Sequence, residues 1–273
     1  MHVPHGAVPR PHARTGRSPT MAVSSQTTVF EQAADMVRPG DRVGLGSGRA
    51  SARFIETLGA RVRDGLTIRG FPTSLAAERQ AREQGIPLLE AAEAADGLDI
   101  AVDGADQFTP TGLDLIKGFG RCALREMVVA RLARRFVILV GPGKRAARLG
   151  EPRADGGPMW LPVEVTPFAE VFADRAIRRL GLEPEPWCVA GQRGLTDNGN
   201  QILDCRMSAI DDAAGLDAAI RGIPGVVGTG FFLQMADCVL EGDEAFRLVA
   251  EHVRHASAPA AGTRADARGR QPK

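Results

Sequence analysis

Between residues 103 and 144 the sequence places five charged side chains where apolar runs are expected to end. They are Asp103 and Asp106 in "VDGADQF", Lys117 and Glu126 in "DLIKGFGRCALREM", and Lys144 in "VGPGK". Carboxylates at the end of a buried strand are costly unless they meet a cation, a ligand or a shifted pKa. Lys117 supplies a cation within reach of both aspartates, and Gly118 and Gly120 let the backbone approach a ligand closely. Glu126 falls in the first turns of a helix whose apolar face is assigned to Leu124, Met127, Val128 and Leu132. Each residue has an ordinary structural use: an Asx turn for the aspartates, an ion pair for Lys117, a helix-start charge for Glu126. Together they form a set able to move a proton and to stabilise an anion.

A second feature points to an anion. "GLGSGRAS" (44–51) reads as a strand-to-helix turn in which Ser47 and Gly48 precede a helix. Free N–H groups and the positive helix end suit a phosphate or carboxylate there, and Arg49 adds a cation. What the sequence lacks narrows the chemistry further. Its five histidines are residues 2, 5, 12, 252 and 255, in or beside the two ends, and it has no tyrosine. That excludes a Ser-His-Asp or Cys-His arrangement and a zinc site built on histidine. Proton transfer must fall to carboxylates, lysines or water. Asp103 and Asp106 could also pair on a metal, but no third ligand cluster supports that.

Those residues need a scaffold. Residues 26–37 read as a helix stopped by Pro39 and Gly40, followed by the apolar run 42–46. In "SARFIETLGARV" Phe54, Ile55 and Leu58 share one helical face. Further strand-like runs are 66–70, 98–106 and 135–141, with a helix after Ser74 as N-cap. Strands alternating with helices predict an α/β fold around a mostly parallel sheet. After Gly150 the pattern changes to "LPVEV" as a strand, then a helix with Thr166 as N-cap and Pro167 at its first position. A turn or hairpin around Asn198-Gly199 and a helix over "DDAAGLDAAIRG" complete a smaller α+β lobe. The chain then returns to the first domain and ends in a last helix. The expected division is 1–22 as a disordered extension, 23–149 and 226–256 as the larger domain, 150–225 as the lobe, and 257–273 as a disordered tail.

The composition, 44% hydrophobic and 25% charged over 273 residues, is that of a soluble globular chain. No apolar run is long enough to cross a bilayer, and residues 1–20 lack the apolar core of a secretory signal. Each end carries a net +3, so with +1 for the whole chain the body is about −5. That excludes a basic nucleic-acid-reading surface on the folded part. The four scattered cysteines (122, 188, 205, 238) read as reduced packing residues of a cytoplasmic protein.

In order and spacing, "VGLGSG", "GFPTS", "DIAVDGAD", "LIKG", "ALRE", "LPVEVTPFA", "TDNGNQILD" and "IPGVVGTGFF" resemble the type A ribose-5-phosphate isomerase family over about residues 26–250. The resemblance implies a Rossmann-like domain with a smaller lid lobe, no metal or organic cofactor, and a homodimer or homotetramer. It implies interconversion of D-ribose 5-phosphate and D-ribulose 5-phosphate in the non-oxidative pentose phosphate pathway. Residue by residue, it makes Glu126 the proton-transferring base, with Asp103 and Lys117 as its catalytic companions. Asp103 becomes the candidate for opening the sugar ring, and Asp106 the holder of a hydroxyl. Ser47, Gly48, Gly104, Ala105, Asp106, Gly118, Gly120 and Lys144 become the substrate-binding set, and Arg49, which departs from the family pattern, either takes over phosphate binding as a forked donor or marks a different ligand.

Departures from the family pattern fall around the substrate. Arg49 and Ala50 stand where the family has Ser-Thr, Phe119 and Arg121 interrupt its glycine run, Gln107 replaces a glutamate, and Met127 replaces a lysine. Other readings are a sugar-phosphate sensor or altered isomerase on this fold and, third, acyl-CoA transfer through a nucleophilic glutamate. Retention of the base favours isomerisation, since a pure binder has no need of it.

Overall fold

The structure, a computed structural model of the chain, describes residues 27–254. The expected N-terminal extension and tail lie outside the described residues. The fold is mixed α/β, built on a six-stranded sheet in the order Leu248–Val253, Cys238–Gly242, Ala133–Val140, Leu98–Gly104, Arg42–Leu45, Arg69–Pro72. All neighbours run parallel except the Leu248–Val253 edge strand. Parallel strands buried on both faces are nearly continuously apolar, as "LDIAV" and "FVILV" are. Alternate residues feed two cores. Ile100, Val102 and Leu139 face the helices Val29–Asp35, Gly48–Arg63 and Leu75–Glu83, while Ala101, Ile138 and Val140 face the helix Ala123–Leu132.

A four-stranded antiparallel sheet follows in the order Val226–Thr229, Met159–Val165, Gln201–Met207, Glu183–Pro186. It packs a third core against the helices Glu170–Arg179 and Ala213–Arg221. A three-stranded sheet, Phe231–Phe232, Leu115–Ile116 and Gln107–Phe108, carries the chain toward Lys117. Among the described residues no helix is long and apolar enough to cross a membrane.

Three local expectations change. The second strand is Arg69–Pro72 rather than 66–70, because the N–H of Leu66 closes the preceding helix by bonding Arg61 O. Thr166 makes no side-chain cap, and Pro167–Ala169 is a 3₁₀ turn leading into the helix. Residues 196–200 form the turn expected around Asn198-Gly199, and Gln201–Met207 leads out of it to pair with Met159–Val165 and Glu183–Pro186. The expected last helix is the Leu248–Val253 strand. There Leu248 is buried and Val249 exposed, a two-residue alternation that fits an edge strand.

Candidate active site

The site forms beyond the carboxyl ends of the parallel strands, where an open sheet of this kind binds ligands. Asp103, at the end of Leu98–Gly104, is held through one oxygen. Oδ1 accepts from Ser47 N at 3.0 Å, Ser51 Oγ at 3.0 Å and its neighbour Gly104 N at 2.8 Å. The glycine loop approaches so closely that a Cβ on Gly46 would lie 2.2 Å from that oxygen. Asp103 Oδ2 faces Lys117 Nζ at 3.0 Å, and Glu126 Oε2 stands 3.3 Å from the same nitrogen. Lys117 Nζ also donates to Gly104 O and lies 5.4 Å from the centre of the Phe232 ring. Lys117, Asp103 and Glu126 are 2%, 1% and 4% exposed, so two carboxylates share one ammonium away from water.

That imbalance sets the protonation. Burial, and then the Asp103 charge, push the Glu126 carboxyl up to about 8, against the pull of Lys117. Burial works against the Lys117 ammonium, but Asp103 and Glu126 outweigh it and hold its pKa above that of an ordinary lysine. Glu126 Oε2 accepts no aligned hydrogen bond, so it is available to a proton. Burial also raises the pKa of Asp106, whose Oδ2 accepts from Phe119 N at 3.0 Å.

Glu126 reaches this position because Ala123–Leu132 turns Ala123, Glu126, Met127, Val129 and Ala130 inward. The assigned apolar face was wrong at Val128, which is 48% exposed. Gly118, at φ +105, makes the turn before the helix, a left-handed conformation natural to glycine. A cavity of about 140 Å³ is lined by Ser47, Gly48, Arg49, Gly104, Ala105, Asp106, Lys117, Gly118, Gly120, Glu126 and Lys144, among others. Of the candidate residues only Asp103 stands off its wall, behind Lys117. Among the described residues neither Arg49 nor Lys144 has a carboxylate partner, although 18 ion pairs form elsewhere. Two free cations thus face the glycine-loop end.

The departures find places. Phe119 packs its ring against the core of the smaller sheet and keeps only its N–H on Asp106. Arg121 adopts φ +64, pairs with Asp204 at 2.5 Å and stacks 5.0 Å over Trp187. It ties the Lys117–Glu126 turn to that sheet. Cys205 and Cys238 are buried as expected, but Cys188 is exposed, and burial pushes the half-buried Cys122 thiol up to about 11.

Sequence reasoning passed over several supports. Ser51 and Phe232 fix Asp103 and Lys117, and only the motifs "GSGRAS" and "GTGFF" hinted at them. Buried Glu164 accepts from Thr196, Asn198 and Asn200, and Asn198 Oδ1 in turn accepts from Arg125 Nε at 2.7 Å. The "TDNGN" turn therefore grips the residue before Glu126, a long-range contact that spacing alone does not show.

The comparisons with known proteins agree with this fold. The family model described as ribose 5-phosphate isomerase A (phosphoriboisomerase A) matches residues 69–245. Ribose-5-phosphate isomerase A of Gloeobacter violaceus is 43% identical over 217 residues, 80% of this chain and 91% of that protein. The solved ribose 5-phosphate isomerase A of Methanocaldococcus jannaschii superposes with a TM-score of 0.76 at 38% identity, covering 83% of this chain and 97% of that one. A D-ribose-5-phosphate isomerase solved in complex with phospho-erythronic acid superposes with a TM-score of 0.75 at 32% identity, covering 82% and 96%. The family model covers the site residues from Asp103 to Lys144 and the smaller sheet, and the chain belongs to the ribose 5-phosphate isomerase A family.

Proposed function

We propose that the chain is an aldose–ketose isomerase interconverting D-ribose 5-phosphate and D-ribulose 5-phosphate, with Glu126 as the base. The observation that carries the mechanism is the buried set in which Lys117 lies between Asp103 and Glu126 on the wall of a cavity that also has free cations. Glu126 takes the proton from C2 of the open-chain aldose and returns it to C1, so one group serves both halves of the reaction. Negative charge grows on the substrate oxygens meanwhile, and Lys117 with the glycine-flanked amides stabilises it. Asp103, paired with Lys117 behind the wall, serves the proton that ring opening moves, and Asp106 on the wall holds a hydroxyl. Residues 150–225 act as the lobe that keeps water from the intermediate. The relative bound to phospho-erythronic acid supports a phosphorylated sugar as the occupant.

Arg49 and Lys144 hold the phosphate, with Arg49 replacing the hydroxyls of the family pattern as a forked donor. Arg49→Ala is expected to raise KM for ribose 5-phosphate about tenfold, with kcat changed less than about threefold. Steady-state kinetics check this, and an unchanged KM removes Arg49 from the phosphate.

A pH dependence follows from the raised carboxyl. A base must be ionised to act, so activity is lost as pH falls through the folded-state pKa of Glu126. Log kcat/KM is expected to climb with unit slope from about pH 6 and to level above about 8. A profile already flat by pH 6 contradicts this assignment.

The direct test of function is incubation with ribose 5-phosphate and detection of ketose. Sugar phosphate bound without turnover would leave the chain a sensor.

A further inference from the structure

Outside the inner cavity, and continuous with it through Gly48, Arg49, Asp106 and Lys144, lies a cleft of about 620 Å³. Arg153, Ala154 and Asp155 form part of its wall, so Arg153 lines the same cleft as Arg49 and Lys144. We propose that Arg153 is a third phosphate-binding cation and that buried Gln107 holds its loop in place, so that this isomerase grips its substrate's phosphate with two arginines and a lysine.

The loop is built to present that side chain. Gln107, 3% exposed, uses both ends of its amide: Oε1 accepts from Gly150 N at 2.7 Å, and Nε2 donates to Glu151 O at 2.9 Å. A glutamate at this position would accept from Gly150 but, when ionised, would have nothing to donate to Glu151. Arg153 N bonds Gly157 O at 2.9 Å and Gly156 N bonds Arg153 O at 2.8 Å, closing the tip. Ala154 seats on the Pro142–Lys144 turn so tightly that a Cβ on Gly143 would lie 2.8 Å from its own Cβ. The loop is thus fixed against the segment that carries Lys144. The Arg153 guanidinium is held on its own loop by Asp155, whose oxygens accept from Nε at 3.1 Å and Nη2 at 2.6 Å. That pair is largely exposed, and an exposed ion pair contributes little, so a phosphate dianion competes with Asp155 for the guanidinium at small cost. Gln107 and Arg153 then belong to one device with Arg49, whose phosphate role under the isomerase reading this inference extends.

The test compares wild type, Arg153→Ala and Arg153→Lys, with ribose 5-phosphate as substrate and inorganic phosphate as competing ligand. Arg153→Ala is expected to raise KM and the phosphate inhibition constant together, about tenfold, with kcat reduced less than about threefold. Arg153→Lys should recover part of the loss. Gln107→Glu should raise both constants in the same direction without a matching fall in kcat, as expected of a residue that positions the loop. Titration calorimetry with inorganic phosphate reads the same contribution without chemistry. A wild type that fails to isomerise, but whose phosphate affinity drops in Arg153→Ala, would refute the isomerase reading and leave this inference standing. Unchanged KM and unchanged phosphate affinity in Arg153→Ala overturn it.

Discussion

Glu126→Gln is expected to lower kcat on ribose 5-phosphate by about three orders of magnitude or more while KM changes only a few-fold. General acid–base catalysis contributes roughly 10²–10⁴-fold, and here no histidine or tyrosine among the described residues lines the cavity to substitute. The variant keeps the shape of the side chain and removes only the titrating oxygen. Stability should move the opposite way. The folded-state pKa of Glu126 lies above its unfolded value, so its contribution is fully present below the unfolded pKa and is lost as pH rises through about 8. Above that pH the wild type buries two carboxylates against one ammonium, whereas the variant leaves Lys117 paired with Asp103 alone. Thermal melts at pH 9 should therefore show Glu126→Gln at or above the wild-type Tm. A marked fall in Tm, or a loss of activity explained by unfolding, would contradict this balance.

Lys117→Met is expected to cost both stability and rate. Removing one partner of a buried ion pair typically destabilises by about 3–5 kcal/mol, because the other charge stays buried without compensation. In a chain of this size each kcal/mol shifts Tm by roughly 2–4 °C, so a fall of about 10 °C at neutral pH is the expected scale. Asp103 keeps the donors on its Oδ1, so the burden falls mainly on Glu126 and on Asp103 Oδ2. The Glu126 carboxyl, losing the pull of Lys117, then titrates higher than in the wild type. Stability of the variant is greatest at acid pH and declines as pH rises, and the gap to wild type should narrow below about pH 5. Loss of the cation over the developing oxyanion should also lower kcat by roughly 10²–10³-fold. Melts at pH 5 and pH 8, with kinetics above the folding threshold, separate the two effects. A gap in Tm that does not depend on pH would argue against Lys117 as the shared counter-ion.

Much of this was legible because the motifs are local. Asp103 and Asp106 near a strand end, the glycines around Lys117 and the position of Glu126 all follow from short stretches, and the cavity gathers all of them but Asp103, which meets Lys117 from behind. Failures came where a distant partner decides. Val128 seemed apolar enough to be buried, but helix orientation is set by Glu126 turning toward Lys117. Residues 248–253 read as a helix until the Cys238–Gly242 strand supplied a ladder for them. Phe119 interrupts the family's glycine run, and where its ring goes is decided by the core of the smaller sheet, against which it packs. Arg121 tolerates a left-handed backbone because Asp204 and Trp187, 83 and 66 residues away, hold its side chain.

The most direct test of the central claim follows the proton. Ribose 5-phosphate is incubated with wild type and with Glu126→Gln in deuterated water, and the ribulose 5-phosphate formed is read by NMR at C1. Transfer through one exchanging carboxyl predicts ketose from the wild type with deuterium at C1, and essentially neither ketose nor label from the variant. Rapid isomerisation by Glu126→Gln, with label at C1 equal to wild type, would contradict the account.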